Sequence, residues 1–182
     1  PYEATNFDLS LEYYGNGSFA SLGYFRKDIE NAIYPLAVAD TTVNGLPFDE
    51  LLTFVNTDDS EVDGFEMNLF QELNMLPAPF DGLFISMNFT KTKGTSSLAV
   101  DSGTVSFPFR KLSEDNANIS IGYDKNKFDI RLSRVSRSPY LDYLADDDSE
   151  TIQEDLDNNN IRYTDHHDQL DFNLKYKINK QM

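Results

Sequence analysis

The side chains able to do chemistry are mostly carboxylates: 31 Asp and Glu stand against 15 Lys and Arg, two His and no Cys. Two carboxylates flanking a bond can act as acid and base in hydrolysis. At this density neighbours such as Asp58-Asp59 arise from composition alone, and no pair stands out as catalytic. From Asp142 to Asp157 eight acids occur with no base among them. Asp146, Asp148, Glu150, Glu154 and Asp157 fall near the ligand spacing of a calcium loop. Thr151 stands where the sharp turn of such a loop wants Gly, and no amphipathic helices flank it, so the run reads as a solvated surface loop. His166-His167 cannot hold one metal from a strand, because adjacent residues there point to opposite faces. The pair reads as a strand entry near a rim. Zero Cys removes thiolate nucleophiles, disulfides and Cys-ligated zinc. No Gly-x-Ser-x-Gly elbow occurs, and Gly15-Asn16-Gly17 is a hairpin turn, since no helix follows to make it a phosphate loop. The expectation is a non-enzyme with no catalytic residue, no metal ligand and no cofactor, whose ligand-binding residues are unassigned.

Charge narrows the partners. A formal charge of −16 argues against nucleic acid, which needs a basic footprint, and against resting on anionic lipid. From Asp28 to Thr90 there are 12 acids and no Lys or Arg. Solubility is the plain reading of that run, although acidic outer loops also suit a calcium-rich exterior. No run of about 18 apolar residues exists, so a transmembrane helix is excluded; a transmembrane β-barrel is not, because its strands alternate. Pro1-Tyr2-Glu3 opens no basic and apolar leader, and Asn179-Lys180-Gln181-Met182 follows a patterned segment directly, which reads as a piece of a longer chain.

The elements that must position any site have period two. Phe7, Leu9, Leu11 and Tyr13 alternate with Asp8, Ser10 and Glu12. Leu83, Ile85, Met87 and Phe89 alternate with Ser86, Asn88 and Thr90, and Ala117, Ile119, Ile121 and Tyr123 with Asn118, Ser120 and Gly122. Leu170, Phe172, Leu174, Tyr176 and Ile178 alternate with Asp171, Asn173, Lys175 and Lys177. Such alternation means strands with one apolar and one polar face. Ser18 to Tyr34, Leu51 to Met75 and Phe128 to Ser136 read the same way, the last with a phase slip at Val135 that suggests a bulge. Asp49 to Thr53 and Asp148 to Leu156 have room for a helical turn but sustain no 3.6 period.

Connections fall into two kinds. Gly15-Asn16-Gly17 and Asp124-Lys125-Asn126-Lys127 are tight turns, and Pro77 to Gly82 is slightly longer. Pro35 to Glu50, Lys93 to Ser106 and Pro139 to Asn160 are long and polar, and the last is expected to be the most mobile segment. Short and long connections alternate, so an up-and-down sheet collects each kind on one edge. That is the layout of outer-membrane barrels. Several patterned runs reach eight to ten residues, close to the roughly 9–11 of a tilted membrane strand. The fold class expected is all-β: an up-and-down antiparallel sheet or barrel of about seven strands, one segment over residues 1–182.

Five segments in order carry a family resemblance. Asn6 to Tyr14 followed by Ser18 to Ile29 ends in Tyr24-Phe25-Arg26-Lys27-Asp28-Ile29; next come Glu61-Val62-Asp63-Gly64-Phe65-Glu66 and Leu76-Pro77-Ala78-Pro79-Phe80-Asp81-Gly82-Leu83. Ala117 to Leu141, closing on Arg137-Ser138-Pro139-Tyr140-Leu141, and Gln169 to Ile178 complete the series. The chain resembles the C-terminal part of the barrel of TonB-dependent outer-membrane receptors, without the plug domain, the early strands or the terminal aromatic strand. The resemblance implies a location in the bacterial cell outer membrane. It also implies energised uptake of a scarce large nutrient (an iron chelate, a corrinoid or an oligosaccharide) by the whole receptor. Implied partners are lipid, the remaining barrel strands, the nutrient, and TonB acting through the missing plug; no nucleic acid is among them. The alternative is a secreted or periplasmic β-sandwich, a carbohydrate-binding or adhesion module with both apolar faces meeting in a core.

Two structural expectations follow. Leu83, Ile85, Met87 and Phe89 should share one face with Ala117, Ile119 and Ile121. Seven strands also make an apolar face of about 800 Å², beyond the roughly 300–600 Å² that soluble monomers expose. Isolated, the piece should therefore curl on itself with Leu170, Phe172 and Leu174 inward, or pair with other copies.

Overall fold

The structure, a computed structural model, describes residues 2–100, 103–143 and 161–178. Its strands are β1 (Glu3–Gly15), β2 (Ser18–Glu30), β3 (Ile33–Val43), β4 (Leu46–Asn56), β5 (Asp59–Glu72), β6 (Leu83–Val100), β7 (Gly103–Pro108), β8 (Asp115–Lys125), β9 (Phe128–Arg137), β10 (Tyr140–Tyr143), β11 (Arg162–Thr164) and β12 (His167–Tyr176). Seven of them form one antiparallel path, β1-β2-β5-β6-β8-β9-β12, and β7 adds to β6. The expected up-and-down sheet of seven long strands is present.

Turn chemistry sets the order. Gly17 at φ +68° and Asn126 at φ +59° take the left-handed conformations that tight hairpins demand, closing β1 onto β2 and β8 onto β9. Between β5 and β6 the chain makes a single 3₁₀ turn at Phe80–Gly82. There the Lys125 ammonium donates to the Asp81 carboxylate, tying this turn to the end of β8.

Two of the three long connections form paired strands. Pro35 to Glu50 lies within the β3–β4 hairpin, turned at Asn44 (φ +51°) and Gly45 (φ +81°). Asn-Gly is among the strongest hairpin signals, and it was legible. Lys93 to Ser106 divides between the upper part of β6 and β7, which pair from Thr95–Pro108 to Val100–Gly103. β10 pairs with β11 across the third connection, most of which lies outside the described residues, as do Asp146, Asp148, Glu150, Glu154, Asp157 and the span from Asp148 to Leu156. Asp49 to Thr53 is strand, not a helical turn.

Register is continuous where a bulge was expected. β9 pairs residue for residue with β8 and β12 through Val135, opposite Asn118 and Gln169. The broken alternation is a true exchange of side chains: Arg134 stands on the apolar face, where it pairs with Asp168 at 2.9 Å, and Val135 stands on the polar face.

Self-closure does not occur. β1 and β12 remain the two ends of an open sheet, and Leu170, Phe172 and Leu174 are 67%, 66% and 56% exposed. The inner strands of a sheet one layer thick are paired on both sides whether or not its edges meet, so inter-strand pairing holds it extended, with only β1 and β12 of the path keeping an unpaired side. Buried hydrophobic clustering gathers instead among the long connections, where Tyr34, Leu98, Val105, Phe107 and Leu141 pack together, with Tyr34 and Phe107 edge to face at 5.4 Å. A sandwich would bury the apolar rows of the main sheet; these stay open.

Two outcomes test this packing. Gly64 lies with an added Cβ 2.5 Å from the Lys91 carbonyl, whereas at Gly23 the nearest heavy atom is 3.9 Å away. Gly64→Ala should lower unfolding stability by about 1–3 kcal/mol, with Gly23→Ala costing much less, in denaturant titrations of the micelle-folded chain. The Lys125 ammonium holds the Asp81 carboxyl below the usual carboxylate range. The stabilisation this pair contributes is complete at neutral pH and fades as pH falls through the depressed Asp81 value. An NMR titration should show the Asp81 carboxyl returning toward its ordinary pKa in Lys125→Met.

Candidate functional site

Alternation and register together create two unlike surfaces. On one, Leu11 faces Leu22, Leu22 faces Met67, Met67 faces Phe89 and Phe89 faces Ala117, a row crossing five strands. Ile85 faces Ile121, Ile121 faces Leu132 and Leu132 faces Phe172, carrying the apolar surface to β12. Leu83, Ile85, Met87 and Phe89 thus oppose Tyr123, Ile121, Ile119 and Ala117 directly, so the expected shared face is present.

Aromatic side chains border this surface at both levels. Phe7 meets Tyr24 at 6.4 Å and Tyr24 meets Phe65 at 5.1 Å toward the long connections; Phe128 meets Tyr176 at 5.1 Å toward the short turns. Phe7 and Tyr13 on β1 are six residues apart, about 20 Å along a strand. Beyond the upper aromatic level the same face turns ionic. Arg26 contacts Asp28 at 3.0 Å and Glu61 at 2.8 Å, and Lys91 contacts Asp115 at 2.9 Å. An apolar band with aromatic borders and paired charges past one border matches the chemistry of a membrane cross-section.

The opposite surface is hydrogen-bonded across strands. The Asn88 amide donates to the Asn68 carbonyl oxygen at 2.6 Å, and the Asn68 amide donates to the Ser21 hydroxyl at 2.9 Å. Ser120 and Ser133 hydroxyls lie 2.8 Å apart. Near the short turns the polar surface also carries rings: Phe70 and Phe84 lie 5.8 Å apart, and the Arg131 guanidinium sits 5.3 Å from the Phe84 ring centre. Phe84 lies across Gly122, directly opposite it in register.

Among the described residues, those singled out by chemistry are not brought together. Asp58 precedes β5 and Asp59 opens it, both exposed. His166 lies before β12, its ring 3.0 Å from Asp165; the His166 backbone N–H, then its ring, hold the Asp165 carboxyl below its usual range. His167, the first residue of β12, stands in register with Arg137. The two histidines go to different neighbours. Sequence reasoning did not identify a hollow of about 450 Å³ on the polar surface, bordered by Asn88, Asn116, Asn118, Arg137 and His167. Its signal was available in the polar halves of β6, β8 and β9, once their register is known.

The family model for TonB dependent receptor-like β-barrels matches residues 1–182. The chain belongs to that family. It is a family of outer-membrane transport receptors, not of enzymes. Among solved structures the chain is similar to the ferric enterobactin receptor of Pseudomonas aeruginosa (TM-score 0.61, 19% identity, covering 98% of this chain and 24% of the receptor). A variant of that receptor in complex with enterobactin aligns with TM-score 0.61 at 18% identity over 98% of this chain and 24% of the receptor. The siderophore receptor PirA of Acinetobacter baumannii aligns with TM-score 0.58 at 16% identity, over 100% of this chain and 26% of that one. The chain therefore spans about a quarter of the length of these receptors. No curated protein matches the sequence.

Asn68 donates and accepts in the polar ladder. Asn68→Leu should cost about 1–2 kcal/mol in a denaturant titration, since partners on both neighbouring strands lose it.

Proposed function

We propose that this chain is part of the wall of an outer-membrane uptake barrel. Its apolar face lies outward against lipid, its polar face borders the aqueous lumen, and its long connections stand on the extracellular side. One observation carries this reading: two overlapping sets of apolar rows, one from β1 to β8 and one from β6 to β12, together cross all seven strands of the path and stay largely open, while the other face of the same strands is mostly polar. Water penalises such a surface and a bilayer rewards it. The paired charges around Arg26, Lys91 and Arg134 then meet the lipid headgroups.

In this reading β1 and β12 pair with further strands of the same receptor, because open edges present unpaired backbone groups. Isolated from them, the chain self-associates. The whole receptor takes up an iron chelate of the siderophore kind, energised by TonB acting through a plug domain. Support for the cargo comes from the structural neighbours, whose names specify ferric enterobactin and siderophores.

The chain has no native Cys, so single cysteines report its faces cleanly. Asn173 and Leu174 are consecutive on β12 and point to opposite sides. In bilayer-reconstituted chain, Asn173→Cys should react readily with a water-soluble maleimide and Leu174→Cys slowly, the reverse order contradicting the assignment. Cells expressing the receptor that carries this segment should accumulate ferric siderophore only with an energised inner membrane; accumulation indifferent to energisation would contradict the uptake reading.

A further inference from the structure

The hollow on the polar face differs from the rest of the molecule in its charge. Register places Thr90, Asn116, Arg137 and His167 in one row across β6, β8, β9 and β12, with Asn88 and Asn118 in the row beside it. All six border the same concavity of about 450 Å³, and among the described residues no carboxylate lines it, although the chain carries 31 Asp and Glu. The row itself meets its first acid at Glu66 on β5, beyond Thr90, and Glu114 stands two residues before Asn116.

Arg137 is the charged group there. Several other bases on the sheet meet acids: Arg26 with Glu61 at 2.8 Å, Lys91 with Asp115 at 2.9 Å, Arg134 with Asp168 at 2.9 Å and Lys175 with Asp129 at 3.3 Å; Arg131, on the same face as Arg137, lies over the Phe84 ring instead. Among the described residues Arg137 pairs with no carboxylate; it stacks 4.9 Å over the Tyr140 ring, and its Nε is buried without a hydrogen-bond partner. A half-buried guanidinium without a counter-charge holds a positive potential over its surroundings. Around it stand side-chain amides and a hydroxyl, which supply N–H and O–H donors and no competing negative charge.

We infer that this hollow binds an anionic oxygen group, a carboxylate or phosphate-type oxyanion, carried by a solute in the lumen. Arg137 supplies the charge, and Asn116, Asn118 and His167 supply donors around it. The inference rests on the polar face being the lumen wall. A planar guanidinium matches two-oxygen edges, which favours oxyanions over chloride.

The test uses the full chain folded in micelles, with inorganic phosphate as probe at constant ionic strength set by chloride. The Asn116 and Asn118 side-chain amides and the His167 ring should show saturable NMR shifts. Arg137→Gln should weaken binding at least about tenfold, Arg137→Lys should retain part of it, and Arg131→Gln, at the other arginine of this face, should leave it unchanged. Asn116→Asp keeps the arginine and places a carboxylate beside it; it should abolish binding, which guards against misfolding of the arginine variants. Tighter binding of citrate than of phosphate assigns the site to organic polycarboxylates, and the reverse order assigns it to free phosphate. Shifts that do not saturate, or that fall equally in Arg131→Gln, overturn the inference. Asn118→Cys separates the two readings: if it resists a water-soluble maleimide in bilayers, the lumen assignment fails and the site with it. If it reacts while phosphate shifts nothing, the site alone fails.

Discussion

Everything in this molecule depends on one constraint: a sheet one layer thick has no interior of its own. Its backbone groups are satisfied by neighbouring strands. Its side chains are satisfied only by whatever lies on either side. Period-two alternation then becomes a statement about two solvents. One face must meet an apolar medium and the other a polar one, and the register of seven paired strands makes that choice collective. A slip of one residue in any strand would put a strip of Leu, Ile and Phe among the amides of the opposite face.

The exceptions to alternation obey the same constraint. Arg134 falls on the apolar surface only at its upper border, and there it finds Asp168. Phe25 and Phe84 fall on the polar surface, each lying across a glycine of the adjoining strand, Gly64 and Gly122. Backbone and ring cover one another, so neither ring needs an apolar partner from outside the sheet. The cluster around Tyr34, Phe107 and Leu141 buries hydrophobic side chains among the connections, beyond the border where paired charges begin. Membership in the TonB-dependent receptor-like barrel family gives this division its context, since barrels of that class present an apolar exterior and a polar interior.

Much of the architecture was legible from residue types alone. β12 is the clearest case, because from Gln169 to Tyr176 its residues alternate without interruption and pair in one register with β9. The opposition of β6 and β8 also followed from alternation. The β3–β4 hairpin was missed because the segment was read by its polarity, although Asn44-Gly45 marked its turn. Val135 was misread for a different reason: one strand's phase cannot distinguish a bulge from an exchange of side chains, and only both neighbours' registers can. Closure was expected from the cost of exposed apolar area, but that cost depends on the solvent, and the strands between β1 and β12 on the path are paired on both sides without it. The hollow beside Arg137 was legible only as polar strand halves, not as a site. Its members come from four strands and are neighbours only through pairing.

The central claim, that one face of this sheet is lipid-facing and the other water-facing, is tested most directly by methyl NOEs from the chain in lipid bicelles. The methyls of Ile119, Ile121, Leu132 and Leu174 should show cross-peaks to acyl-chain methylenes, and those of Val135, equally apolar but on the opposite face, should show none. Acyl-chain contacts at Val135, or water contacts along Ile121 and Leu132, would contradict the account.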